Sequence, residues 1–308
     1  MCETSHSAFG VQKSEFGFSY DDPSAFVRSQ FRNLSPWILV GYRVSISIYV
    51  NVCFTVYMAT SSTEIGWNVL IYYPNWSFLF LALYLSVSTL SIIHYHITNR
   101  YRHRGRWREN DYSEWQPLTC DVTQLLSTPC HYRLSWFLYN ISMVSSLGVT
   151  TTYLLTNENL IGRVSKFACL QIYFINTIVA LIEVIFSAMP TRIAHVIYIL
   201  LILLLYTIVT VVCFAVGGAE GTQSLLYSFL DYGENPELSV LILLLMFLGA
   251  ITFHILLWVI FKLKIYISLE GKGDYDSMSP RFSSAESSGN YGSREPKTEV
   301  AMGPSSLP

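Results

Sequence analysis

Residues 193–216 read IAHVIYILLILLLYTIVTVVCFAV. Beyond His195 no side chain in that run carries a charge. About twenty helical residues rise ~30 Å, the thickness of the hydrocarbon core of a bilayer. Backbone groups in lipid must be satisfied within their own segment, so the run is a helix. Similar runs recur at 37–60, 75–97, 134–155, 168–188 and 238–267, the last containing LSVLILLLMFLGAITFHILLWVIF. The first and third carry Ser, Thr and Asn among their apolar residues. The reading is an all-α, multi-pass integral membrane protein of six transmembrane helices. Residues 1–36 form a cytosolic N-terminal segment, 37–267 the membrane domain, and 268–308 a disordered cytosolic tail. That tail is rich in Ser, Gly, Pro and Glu, which cannot bury a core.

Composition agrees. Of 308 residues, 52% are hydrophobic and 13% charged, about half the ~25% usual in a soluble domain. A soluble enzyme needs more charge to cover its surface. A net charge of −2 leaves no basic footprint for a nucleic acid. The six cysteines show no CxxC and no zinc spacing. Residues 1–36 hold no apolar stretch of the signal-peptide kind.

Basic residues orient the chain. Loop 98–133 carries Arg100, Arg102, Arg104, Arg106, Arg108 and Arg133. Lys13, Arg28 and Arg32 precede span one, Arg192 follows span four, and Lys262, Lys264, Lys272, Arg281, Arg294 and Lys297 close the chain. Sixteen of the nineteen Lys and Arg thus gather on one side. The positive-inside rule puts both termini in the cytosol, consistent with an even number of spans. The alternating run Arg100 to Arg108 suits anionic lipid headgroups at ~1 kcal/mol per residue, and also sets topology. Trp37, Trp67, Trp76 and Trp136 lie near span ends, where indoles prefer the interface. Asn75-Trp-Ser77 is a glycosylation sequon set close against span two.

Charge inside a span is costly and usually paired. Arg43 lies about six residues into span one, and Glu183 about five from the end of span four. At ~1.5 Å per residue both sit roughly 8–9 Å below the cytosolic surface. Matched depth permits an intramembrane charge pair serving a substrate or a proton. The plainer alternatives are a structural ion pair, or Arg43 snorkelling to the headgroups. His94, His96, His195 and His254 fall in the same half; as caps or carbonyl partners they need no metal, and no metal or other cofactor is expected. Asn51, Asn140 and Asn176 lie within spans as candidate interhelical hydrogen-bond donors. Pro190 and Arg192 mark the tight turn between spans four and five, with the arginine meeting anionic lipid. No Walker loop, GxSxG, HExxH or dinucleotide fingerprint occurs.

Asn75-Trp76 opens span two, and Trp136 and Asn140 lie in span three. Asn176 follows, then Pro190-x-Arg192-x-x-His195-x-x-Tyr198, Tyr206, Gly217-Gly218, and Leu230-Asp231 with Pro236. In order and spacing this resembles the Rolling stone family of multi-span membrane proteins, over roughly residues 35–266. The resemblance implies a role in cell–cell adhesion or fusion, as in the fusion of myoblasts, or in binding an unidentified membrane-protein partner at the plasma membrane.

The chain is also distantly similar to the androgen-induced six-span proteins, which hydrolyse fatty-acid esters of hydroxy fatty acids with an intramembrane Thr and His. Here Pro74 stands in the place of the Thr, and the stretch Tyr173–Asn176 holds no His. Proline offers no nucleophile, and neither Tyr nor Asn serves as a general base near neutral pH. Ser77 is the nearest hydroxyl, with no base assigned to it. The reading is therefore a pseudoenzyme with no catalytic residue. Its alternatives are a lipid-ester hydrolase, and a small-solute or proton carrier built on Arg43 and Glu183.

Overall fold

The computed structural model describes residues 16–18, 20, 23–31, 35–109, 128–156, 166–217, 230 and 232–278. Six long helices follow one another among them: α1 (Pro36–Ile65), α2 (Tyr73–Glu109), α3 (Cys130–Thr156), α4 (166–186), α5 (Val196–Gly217) and α6 (Pro236–Met278). Each predicted span coincides with one helix. The protein is all-α and multi-pass.

Prolines start the helices. Pro36 and Pro236 open α1 and α6, and Pro74 lies in the first turn of α2. A first-turn proline loses no intrahelical bond, because its N–H would be unpaired there anyway. α1 ends at Gly66, whose φ of 67° lies in the left-handed region that glycine enters without a Cβ clash. A 3₁₀ turn, Gly66–Ile71, then leads into α2. α4 is composite: Lys166–Cys169, a π-helical stretch Leu170–Ile175, and Asn176–Phe186. Within it the Asn176 N–H donates to the Gln171 carbonyl, five residues back. Ser187 turns extended, Pro190 follows, and the 3₁₀ turn Ile193–His195 begins the return through α5.

Four helices are long and apolar enough to cross a bilayer: Pro36–Thr63, Tyr73–Thr98, Ile193–Val216 and Pro236–Ile267. α4 contributes a shorter apolar stretch, Leu170–Phe186. α3 is long but not apolar enough to join the four, and its position explains why. It packs on α2, on α4 and on α5, so its neighbours are protein rather than lipid. Ser135, Asn140, Ser142, Ser145 and Ser146 are all buried along it. The lipid-facing helices show the reverse pattern. α5 exposes Leu201, Leu204, Leu205, Ile208 and Val212, and α6 exposes Leu241, Leu244, Leu245 and Leu248. An apolar surface of that extent marks a membrane-facing wall.

The core lies among α2, α3 and α4. Leu81, Tyr84, Leu85 and Ile92 of α2 meet Trp136, Ile141 and Met143 of α3, with Ile172, Val179 and Val184 of α4. Amides tie the helices across this core. Asn51 Nδ2 of α1 donates to Ser86 Oγ of α2 at 2.9 Å. Such bonds contribute ~0.6–2 kcal/mol each in a membrane setting.

One expectation changes. Trp136 is not an interfacial indole; it is fully buried, and its Nε1–H donates to the Pro190 carbonyl at 2.6 Å. Helix α6 continues to Met278, past the predicted start of the tail. The described residues between 16 and 31 pack into the protein, with Phe26 and Val27 both buried. By contacts the chain separates into two units, Met1–Lys264 and Ile265–Pro308; of the second, only the helical continuation of α6 is described.

Candidate functional site

Arg43 and Glu183 meet. Arg43 Nη2 lies 3.3 Å from Glu183 Oε2, and both side chains are almost wholly enclosed. The guanidinium also donates to Ser187 Oγ at 3.1 Å, to Ser88 Oγ at 2.5 Å and to the Phe26 carbonyl at 3.4 Å. The Tyr84 hydroxyl donates to Glu183 Oε2 at 2.8 Å. Lys264 Nζ donates to the carbonyls of Val184 and Ser187 at 2.7 and 2.6 Å. A cation belongs there, because the last carbonyls of a helix are unpaired and carry its negative dipole end. Two cations and one carboxylate thus gather where α1, α2, α4 and α6 converge. Among the described residues, Arg43 Nε has no hydrogen-bond partner, and the Tyr42 hydroxyl faces the Glu183 carboxylate.

A second cluster surrounds the turn between α4 and α5. The guanidinium of Arg192 lies over the Trp136 ring, 5.1 Å from its centroid, and Nη1 donates to the Gly17 carbonyl at 2.9 Å. Headgroup contact was the expectation for Arg192; within the protein its guanidinium meets an indole face and a backbone carbonyl. His195 is buried, with Nε2 3.3 Å from the same Gly17 carbonyl and Nδ1 3.4 Å from Asn140 Nδ2. Tyr198 donates to the Phe16 carbonyl at 2.7 Å. His254 Nε2 lies 2.9 Å from the Arg192 carbonyl. Each of these histidines has a backbone carbonyl as partner. Nearby, His131 packs edge-on to His94 at 5.4 Å between ring centroids. Burial, with His94 beside it, holds the His131 imidazole below its usual range. Among the described residues no group of three His, Cys, Asp or Glu is arranged to hold a metal.

The third cluster occupies the opposite half of the bundle. The Tyr57 hydroxyl donates to Asn75 Oδ1 at 2.9 Å, and Asn75 Nδ2 donates to the Val69 carbonyl at 2.5 Å. Asn75 is buried in the fold, with both ends of its amide taken up by these bonds. Trp76 Nε1 donates to the Leu70 carbonyl at 2.7 Å. Asn176 Nδ2 donates to Ser77 Oγ at 3.1 Å, and Ser146 Oγ donates to Asn176 Oδ1 at 3.3 Å. The hydroxyl of Ser77 therefore meets a side-chain amide, which cannot take its proton. Tyr173 stacks on Tyr153 with ring centroids 4.4 Å apart, and its hydroxyl has no partner among the described residues. Nothing described there pairs a nucleophile with a base.

Two groups of candidate residues lie outside what is described: Asp231, and the side chains of Arg100, Arg102, Arg104, Arg106 and Arg108. What the sequence reading missed is the contribution of residues 16–31. Phe18 sits among Trp136, His195 and Tyr198, with centroid separations of 5.6, 4.8 and 5.0 Å. Phe26 stacks on Tyr132 at 5.4 Å. The phenylalanines of 9–31 were the available signal, dense for a segment otherwise polar.

Comparison with known proteins agrees with the motif reading. The family described as "Protein rolling stone" matches residues 2–270. "Protein rolling stone" of Drosophila melanogaster is 22% identical over 265 residues, covering 82% of this chain and 88% of that relative. No solved structure matches. The match runs through all six helices and the N-terminal segment that packs against them, and on that extent the chain belongs to the rolling stone family.

Proposed function

We propose that this is a non-enzymatic protein of the plasma membrane that acts in cell–cell adhesion or fusion by binding a membrane-protein partner. Family membership supports the setting, and myoblast fusion is the process that the resemblance implies. The observation that carries the non-enzymatic half is the Asn176 amide on Ser77, where a hydrolase would need a base. Both termini lie in the cytosol in this reading, and Arg100 to Arg108 lie against anionic headgroups.

The test is a two-colour mixing assay in fusion-competent muscle precursor cells lacking the protein. Loss of two-colour multinucleate cells, restored by the intact chain, is the expected outcome. An unchanged fusion index would count against the proposal. A fluorophosphonate probe applied to the purified protein is expected to leave no label; labelling abolished by Ser77→Ala would favour the hydrolase alternative.

One observation favours a second reading. Arg43 and Glu183 are ionisable side chains enclosed within the membrane domain, a placement that in membrane proteins often marks a proton or solute pathway. Proteoliposome proton flux abolished by Glu183→Gln would support that reading over the first.

A further inference from the structure

We infer that the groove between α3 and α5 is a peptide-binding site whose resident ligand is this chain's own segment between Phe16 and Phe31, through its described residues 16–18, 20 and 23–31. The segment forms a releasable strap that closes the bundle over Arg43 and Glu183.

The groove reads the strap through its backbone. Tyr198 holds the Phe16 carbonyl, Arg192 and His195 converge on the Gly17 carbonyl, and Arg43 reaches the Phe26 carbonyl. Every one of these donors belongs to the bundle, and every acceptor to the strap. Aromatic side chains supply the grip between them. Phe18 enters the space bounded by Trp136, Phe137, His195 and Tyr198. Phe26 fills the space beside Tyr132 and Trp136. Carbonyl anchors with aromatic pockets on either side are how a groove holds an extended peptide.

The strap also crosses the end of α4. Gln30 N–H donates to the Phe186 carbonyl at 2.9 Å, and Ala188 N–H donates to the Arg28 carbonyl at 3.4 Å. Between them lies an isolated antiparallel bridge, Ser29 with Ser187. Ser187 is also an acceptor for Arg43. The strap therefore supplies one of the guanidinium's acceptors and covers another.

The attachment has the character of a latch rather than of a helix in the core. Between Phe16 and Phe31 the only regular element described is the four-residue 3₁₀ turn Pro23–Phe26. Among the described residues its bonds to the bundle are scattered, and the bridge at Ser29 is isolated. Local opening of such a segment breaks few contacts beyond its own, whereas opening any of α2 to α4 disrupts the shared core. Release uncovers Ser187 and leaves Arg43, Arg192, His195 and Tyr198 each short of an acceptor, which water or another peptide then supplies.

The experiment uses full-length protein in detergent, so both ends of the bundle are accessible whatever the topology. Ser187→Cys places a thiol under the strap. Its rate of reaction with a water-soluble maleimide is measured beside the same change combined with Phe18→Ala and Phe26→Ala. The native cysteines, followed by peptide mapping, provide the internal reference. Tenfold or faster labelling at position 187 in the combined variant, with unchanged rates at Cys53 and Cys169, is expected. Tyr198→Phe removes only the hydroxyl on the Phe16 carbonyl; it leaves the aromatic packing in place, and it is expected to raise the rate about threefold. Equal rates at position 187 in all three proteins would overturn the inference. So would labelling already as fast as a free thiol before the strap is altered. Parallel loss of protection at Cys53 and Cys169 would mean that the segment is an inseparable part of the core, which also overturns it.

Discussion

Removing the carboxylate of Glu183 leaves the two cations Arg43 and Lys264 with no anion between them, whereas removing the guanidinium of Arg43 leaves one cation and one anion. The two ends of this ion pair are therefore not equivalent. A buried pair broken on one side costs about 3–5 kcal/mol. Glu183→Gln is expected near the upper end of that range and Arg43→Gln near the lower. The double variant should cost less than the two single costs summed. Thermal unfolding of the three variants in detergent checks the cycle, and purely additive shifts would remove the coupling. Asn75 makes a second residue-scale case. With its amide committed to Tyr57 and Val69, Asn75→Gln should leave electrophoretic mobility unchanged and lower the melting temperature. A mobility shift on that substitution would show that the sequon is used. At this scale the sequence was half legible. Spacing along a span gives depth, so the levels of Arg43 and Glu183 could be read. Rotation about the helix axis is not in that spacing, and neither Ser88 nor Ser187 could be named as a partner. Trp136 was misread for a related reason: an indole at a span end looks interfacial unless the strap that covers it is known.

The π-helical stretch of α4 matters at the scale of the element. A helix absorbs one extra residue through i→i+5 bonding without turning what lies beyond it, whereas the same change in α-helix rotates everything downstream by about 100°. Deleting Phe174 should therefore let Leu170–Ile175 revert to α-helix with Glu183 still aimed at Arg43. Deleting Ile182 should rotate the end of α4 off the pair. The first variant is expected to retain a cooperative melt and the second to lose it, as followed by far-ultraviolet circular dichroism. Equal damage from both deletions would show that the π-stretch is not a register device. Apolar runs made all six helices legible, because a lipid-facing wall is written in composition. The π-stretch was not, since LQIYFI has the same hydropathy in either winding. The weaker pattern of α3 also has a physical cause: a helix surrounded by protein has no need to be apolar all round.

Over the whole molecule, sixteen of the nineteen Lys and Arg lie in segments that the positive-inside rule assigns to one side. Epitope tags at either terminus are expected to stay unreachable by antibody on intact cells, while a tag inserted beside Ser224 is reached. Surface staining of either terminus would reverse the orientation. The strap was invisible at this scale because its contacts span the chain: Phe16 meets Tyr198, and Gln30 reaches the Lys264 carbonyl at 3.4 Å. Segment 16–31 shows no periodicity by which its docking could be inferred, only aromatic residues without an evident use.

That arrangement has a consequence for how the protein is made. Residues 16–31 leave the ribosome well before the groove that holds them, since Tyr198 follows Phe31 by about 170 residues. At ~5–20 residues per second the delay is on the order of ten to thirty seconds. For that interval the segment has no groove to enter, and its phenylalanines are open to chaperones and to any modifying enzyme working at the ribosome exit. Once α5 is threaded into place the interval ends. A mark written on residues 16–31 in that interval would precede the strap's first docking, whereas a later mark would require its release.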